Sequence, residues 1–203
     1  MTFYDRVIFP RLMHFVMGFG ELPEYRCKVV PAAAGRVLEV GIGSGLNAPL
    51  YTGRVDEVVG LDPNRTLNRM ARHRVSGARV PIRVVNGSAE DIPFDSSSFD
   101  TVVMTWTLCS IPDPVRALRE MRRVLRTGGQ LLFIEHGTAP DPGVARWQER
   151  LTPVWTRFAG GCHLNRRMDA LIRQGGFSLD RLDTGYLEGP RFASFCYWGS
   201  ARP

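Results

Sequence analysis

The sequence predicts an α/β protein: a doubly wound, mostly parallel sheet of seven strands with an antiparallel C-terminal hairpin edge. Three observations predict it. Short β-rich runs alternate with amphipathic segments from Arg36 onward, a glycine cluster follows the first of those runs, and the last two runs have no helical pattern between them.

Arg36 to Val40 reads as a buried strand, and a helix is expected after the glycine cluster, near Leu46 or Asn47. Val55 to Leu61 forms a second strand ending at Asp62 and Pro63. Asn64 to Val75 follows as a helix with Leu67, Met70 and Ala71 on one face. Ile82 to Val85 and Phe99 to Thr105 are the third and fourth strands. From Asp113 to Leu125, apolar residues fall at three- and four-residue steps behind Asp113 as cap and Pro114 as first helical residue. Gly128 and Gly129 are expected to end that helix, and Gln130 to Ile134 makes the fifth strand. Arg166 to Gln174, with Asn165 as cap, is a helix closed by Gly175 and Gly176. Phe177 to Leu182 and Phe192 to Ala201 can then pair only as a hairpin.

The chain of 203 residues, 44% hydrophobic and 23% charged, has the composition of a soluble globular domain. The uncharged stretch Thr101 to Pro112 falls well short of the roughly 18 apolar residues of a membrane span. Cysteines at 27, 109, 162 and 196 form no CxxC pair, and Cys162 beside His163 lacks a second pair at ligand spacing, so no metal and no disulfide framework are expected. No secretory leader is recognisable, since Asp5, Arg6, Pro10 and Arg11 interrupt any apolar run, and the expected compartment is the cytoplasm. The net charge is +6, and Lys28 is the only lysine, so the excess is arginine; its main reading is a solvated surface.

Glu39-Val40-Gly41-Ile42-Gly43-Ser44-Gly45 lies where a nucleotide-binding loop belongs. The third glycine comes one place early for the dinucleotide fingerprint. Asp62 ends the second strand 17 residues after Gly45, where a carboxylate can accept both hydroxyls of a ribose. Glu39 could hold a positively charged group through a water or backbone network.

These residues carry a resemblance. Leu38–Gly45, Gly60–Asn64, Gly87–Phe94, Phe99–Ile111 and Val124–His136 resemble, in order, the motifs of a class I S-adenosylmethionine-dependent methyltransferase with its Rossmann-like fold, and the likeness runs from about Arg36 to Arg202. The subgroup is similar to the quinone-biosynthesis and phospholipid N-methyltransferases. It most resembles the methyltransferase-like alkyl-thiol methyltransferases, through Leu108-Cys109-Ser110-Ile111, Glu135-His136 and a tryptophan-rich segment before Gly161-Cys162-His163-Leu164-Asn165-Arg166.

The resemblance implies S-adenosyl-L-methionine as cofactor, with S-adenosyl-L-homocysteine as product. Gly41, Gly43 and Gly45 would pack on its methionine and ribose portion, Asp62 would bind the ribose hydroxyls, and Pro63 and Asn64 would flank the adenine. Ser88, Ala89 and Glu90 would lie at the adenine edge, with Ser88 where the family commonly has aspartate. Thr105, Trp106 and Thr107 would face the methyl donor. The length and the two regions outside the sheet pattern divide one domain over 1–203 into an N-terminal helical lid or membrane-facing segment (1–30), a cofactor-binding core (31–138), a helical substrate cap (139–165), and a C-terminal helix with its hairpin (166–203).

Methyl transfer from a sulfonium is an in-line displacement, so the protein aligns the acceptor and excludes water, and a base is needed only for a protonated acceptor. His136, ending the fifth strand beside Glu135, is the candidate base, against a structural reading as a loop histidine. Cys109 reads as a small buried hydrophobe near the methyl donor, or as part of the acceptor pocket. Phe3, Val7, Ile8, Leu12, Phe15, Val16 and Phe19 gather on one broad helical face with Pro10 as a kink, and Ala145 to Phe158 adds Trp147, Leu151, Val154, Trp155 and Phe158. Such faces pack on the domain, cover an apolar substrate, or dip into a membrane with Arg6 and Arg11 near head groups.

The expected acceptor is small and apolar or amphipathic: a thiol, a lipid amine or a quinone precursor. An NAD-dependent oxidoreductase is disfavoured by the glycine spacing and by the lack of a Tyr-x-x-x-Lys pair. A non-enzymatic nucleic-acid or membrane-binding module is the third reading. Nucleic acid is not expected, because Thr105-Trp106-Thr107-Leu108 lacks the Asp/Asn-Pro-Pro-aromatic motif of amino-methylating enzymes.

Overall fold

In a computed structural model that describes residues 8–203, the chain forms one seven-stranded sheet of order β3-β2-β1-β4-β5-β7-β6. The strands are β1 (Gly35–Val40), β2 (Val55–Asp62), β3 (Ile82–Asn86), β4 (Phe99–Thr105), β5 (Leu125–His136), β6 (Ser178–Tyr186) and β7 (Phe195–Arg202). The first five pair in parallel, whereas β7 runs antiparallel between β5 and β6. The helices are α1 (Phe9–Met17), α2 (Leu22–Val29), α3 (Arg65–Val75), α4 (Pro114–Val124), α5 (Pro142–Phe158), α6 (Met168–Gln174) and the single turn α7 (Arg191–Ser194).

The central strands are apolar on both faces, as expected of parallel strands covered twice. Leu38, Val40, Val102, Met104 and Phe133 join one core, and the intervening Val37, Val103 and Leu132 join the other. Helix α4 closes the first core with Ala117, Leu118, Met121 and Val124. The full burial of Leu118 and Met121 stabilises by about 1.5–3 kcal/mol each. The helix starts where the sequence indicates, because Asp113 Oδ1 accepts the Arg116 N–H at 3.0 Å behind Pro114. Asn64 caps α3 in the same way, accepting from Thr66 and Leu67.

Five expectations are corrected. No α-helix follows the glycine loop: only a 3-10 turn forms over Ala48–Leu50, since Gly41, Gly43 and Gly45 all have positive φ and Pro49 follows. Strand β5 starts directly after α4, at Leu125, and Gly128 at φ +82 bends the strand instead of ending a helix. Helix α6 begins at Met168 behind Arg167, so Asn165 is not its cap. A helical turn, α7, interrupts the hairpin connection. Pro10 occupies the first turn of α1, where its missing N–H is harmless, and produces no kink. Phe3, Arg6 and Val7 lie outside the described residues.

At the end of β5 the backbone is packed too closely for a side chain. A Cβ on Gly137 would run into the Arg166 carbonyl oxygen, with Met168 and Tyr197 just behind it. Gly137→Ala is therefore expected to destabilise by about 1–3 kcal/mol, seen as a melting temperature lowered by about 2–12 °C; an unchanged melting temperature would show that this junction is slack.

Candidate active site

A cavity of about 590 Å³ opens at the carboxyl ends of β1, β2 and β4. Its wall includes Gly41, Gly43, Asp62, Pro63, Asn64, Ser88, Ala89, Glu90, Thr105, Trp106 and Thr107. Glu39, Gly45 and His136, which were expected in the site, do not line it.

Tight backbone packing shapes the floor. At Gly41 the chain turns with φ +73, and a Cβ there would collide with the Thr107 side chain, so the loops after β1 and β4 touch. Gly45 instead packs against Ala71 and Val75 of α3, away from the cavity. Asp62 organises the neighbouring wall: its carboxylate accepts the Gly43 N–H at 3.0 Å and the Asn64 N–H at 2.7 Å. Burial raises its pKa, opposed by those two hydrogen bonds. Ser88 Oγ accepts the Glu90 N–H at 3.1 Å, which shapes the turn on the far side.

Behind the glycine loop lies a buried polar network. Glu39 accepts Asn47 Nδ2–H at 2.7 Å and Tyr51 O–H at 2.8 Å. Arg26, delivered by α2, donates to Asn47 Oδ1 at 2.7 Å and Thr105 Oγ1 at 2.9 Å, and its guanidinium lies over the Trp106 ring. Its Nε is buried with no hydrogen-bond partner, and the side chain reaches the cavity wall. Burial raises the Glu39 pKa to about 7, opposed by the Tyr51 hydrogen bond and the Arg26 charge. Burial also lowers Arg26 to about 10, opposed by Glu39. Glu39 therefore acts through Asn47, Tyr51 and Arg26, from behind the loop.

The loop after β4 is held by a second carboxylate. Fully buried Glu135 accepts the N–H groups of Thr107 at 2.6 Å, Leu108 at 2.9 Å and Cys109 at 3.3 Å. This clamp keeps Trp106 at φ +51, a left-handed conformation that costs a bulky residue about 1 kcal/mol or more. Burial raises the Glu135 pKa to about 7 against those backbone hydrogen bonds. His136 points elsewhere: its Nε2 lies 2.9 Å from Cys162 Sγ.

Sequence reasoning missed the residues that α1 and α2 bring to the cavity. Phe9, Met13 and Met17, at four-residue steps, line it together with His14 and Arg26. His14 Nδ1 meets Ser44 Oγ at 2.7 Å and its Nε2 meets Arg74 of α3 at 3.2 Å, so α1 is latched onto the glycine loop through one ring nitrogen and onto α3 through the other. The apolar residues singled out in the sequence face outward instead: Ile8, Leu12, Phe15, Val16 and Phe19 are all at least 46% exposed. The four-residue spacing was the one signal for the cavity-facing side, and none existed for Arg26.

A mostly parallel sheet of this order with β7 antiparallel, a glycine loop after β1 and a carboxylate ending β2 defines the Rossmann-like fold of the class I methyltransferases. The comparisons with known proteins agree. Residues 38–133 match a family model described as a methyltransferase domain. The chain is 38% identical over 109 residues to a phosphatidylethanolamine N-methyltransferase of Cereibacter sphaeroides, covering 53% of each chain. To the thiol S-methyltransferase TMT1B of Homo sapiens it is 37% identical over 157 residues, covering 74% of this chain and 64% of the relative. A crystal structure of an S-adenosylmethionine-dependent methyltransferase from Mesorhizobium loti matches 90% of this chain and 97% of that one, at a TM-score of 0.66 and 19% identity. The chain belongs to the class I S-adenosylmethionine-dependent methyltransferases. It spans between about half and two thirds of the length of these curated relatives.

Between pH 4.5 and 7 the folded chain keeps a proton on Glu39 that the unfolded chain has released, so stability falls as pH rises through this window. The loss attributable to Glu39 is about 3 kcal/mol. Glu39→Gln is expected to flatten the decline of the melting temperature from pH 5 to pH 8; an unaltered slope would show that Glu39 is ionised throughout.

Proposed function

We propose that the chain transfers the sulfonium methyl of S-adenosylmethionine to a small apolar or amphipathic acceptor, with alkyl thiols the first class to test and lipid amines and quinone precursors behind them. One observation carries the cofactor assignment: a buried carboxylate, Asp62, on the cavity wall with both oxygens anchored by backbone N–H groups.

The donor set fits the cofactor. Each Asp62 oxygen retains a lone pair for a ribose hydroxyl, and Arg26, with its Nε unpartnered, supplies a cation for the carboxylate of the amino-acid end. Ser88, Ala89 and Glu90 would border the adenine, and Thr105 to Thr107 the reacting end. When bound, S-adenosylmethionine supplies an electrophilic methyl that is displaced in line. Phe9, Met13, Met17, Ile111 and Pro112 line the cavity with apolar surface that would exclude water and orient the acceptor. In this reading 1–30 is a lid, 139–165 a cap, and His136 serves the structure and not the acceptor. The thiol class is favoured by the likeness to the human thiol S-methyltransferase, which runs over 74% of this chain.

The same lid offers a membrane contact. No helix among the described residues is long and apolar enough to cross a bilayer. The outward face of α1, with Arg11 beside it and a chain charge of +6, suits instead the surface of an anionic membrane, which would bring amphipathic acceptors to the cavity. Leu12→Ser with Phe15→Ser is expected to reduce co-sedimentation with anionic vesicles; undiminished sedimentation would remove the membrane from the proposal.

S-adenosylhomocysteine at about 100 times its dissociation constant should stabilise the chain by roughly 2.7 kcal/mol, a rise of about 5–11 °C. NAD should produce none, and the reverse pattern would overturn the assignment. Asp62→Ala is expected to weaken binding of S-adenosylhomocysteine by at least about 100-fold, from the loss of charge-assisted hydrogen bonds. Unchanged affinity would dismiss Asp62 as the ribose ligand. Methyl transfer to a panel of alkyl thiols, lipid amines and quinols then ranks the acceptors.

A further inference from the structure

We propose that Cys109, His136 and Cys162 together bind one borderline-soft divalent cation, zinc above all, at a site behind the acceptor side of the cavity. The three residues come from the loop after β4, the last position of β5 and the loop after α5, and their ligand atoms all lie within 4.8 Å of one another. Zinc holds thiolate sulfur at about 2.3 Å and imidazole nitrogen at about 2.0–2.1 Å in a tetrahedron, so neighbouring ligand atoms stand about 3.5–3.8 Å apart. The cluster reaches that spacing with small side-chain movements.

The surroundings favour a ligand set over ordinary packing. Cys109 and Cys162 are buried, and His136 Nε2 lies 2.9 Å from Cys162 Sγ, so the imidazole presents a ring nitrogen to the thiols. Trp155 Nε1–H points at Cys162 Sγ from 3.3 Å, a donor suited to a thiolate. Glu135 lies outside the cluster and directs its oxygens at the N–H groups of residues 107–109, which fixes the position of Cys109. Arg166 donates to the carbonyls of Leu108 and Ile111 and so braces the same loop. Two thiols give up their protons when the ion binds, and two thiolates with a neutral imidazole balance its charge. A fourth position is left for water.

The site would fasten two walls together. Ser110 lines the cavity one residue from Cys109, and Gly160 lines it two residues from Cys162. The ion would thereby tie the loop after β4 to the segment after α5, and its spacing of 27 and 26 residues along the chain matches no zinc motif.

The test reads metal and not activity. The full chain in a Cys27→Ser background, which removes the exposed thiol, is stripped with a chelator under anaerobic reducing conditions and titrated with Co²⁺. One equivalent should produce a thiolate-to-cobalt charge-transfer band in the near ultraviolet, and Zn²⁺ should displace it. Cys109→Ser, Cys162→Ser and His136→Asn should each weaken binding by more than the about 10–100-fold that loss of an outer-shell partner costs. If a serine variant does not fold by circular dichroism, Cys162→Asp, which keeps an oxygen ligand, should bind Co²⁺ with a weaker band. Absence of the band in the parent protein, or full retention of it in any folded ligand variant, would overturn the site.

Discussion

The site depends on burying carboxylates at the ends of strands and satisfying them with loop donors. Asp62 at the end of β2, and Glu39 and Glu135 one residue before the ends of β1 and β5, are all removed from water. Each compensates its desolvation by accepting hydrogen bonds from a connecting segment: Gly43 and Asn64 for Asp62, Asn47 and Tyr51 for Glu39, and residues 107–109 for Glu135. The loops are consequently positioned by the sheet itself. A loop fixed in this way can hold a strained residue such as Trp106, because the neighbouring hydrogen bonds leave it no relaxed alternative.

The N-terminal segment completes what the sheet leaves open. Helix α1 turns Phe9, Met13 and Met17 inward and its more hydrophobic residues outward, the reverse of what a helix packed on a soluble domain would do. Helix α2 sends the cation of Arg26 into a buried polar network, where Asn47 and Thr105 accept its hydrogen bonds and Glu39 lies within electrostatic reach. Helix α5 shows the same inversion: Gln148 and Thr152 are its buried residues, and Gln148 binds the backbone of Gly137, Ala139 and Phe192, while Trp147 and Val154 face solvent. Both helices therefore add polar anchors, His14 on α1 and Gln148 on α5, to their apolar contacts while leaving large apolar side chains exposed.

Much of this was legible in the sequence where the determinants are local. Asn64 and Asp113 announce their helices through a cap and the residues that follow, and the alternation of Val37, Leu38, Val102 and Val103 between two cores follows from strand period alone. The glycine loop and Asp62 were readable because a turn and a strand end leave a fixed pattern. The helix expected after that loop failed to form because Asn47 spends its side chain on Glu39 and Thr105 and three left-handed glycines precede it. Arg26, His14 and the convergence of Cys109, His136 and Cys162 were not legible, since residues tens of positions apart meet only through the tertiary fold.

The position of β7 has a consequence for how the chain comes to be folded. Among the described residues strand β6 pairs only with β7, and β7 has its other edge on β5. During vectorial synthesis β1 to β5 can assemble as they emerge, but β6 must wait, unpaired, until the stretch from Phe195 to Arg202 arrives and inserts beside it. The antiparallel end of the sheet is thus closed only once β7 has been made, and until then β5 and β6 each leave unpaired backbone that favours edge-to-edge association.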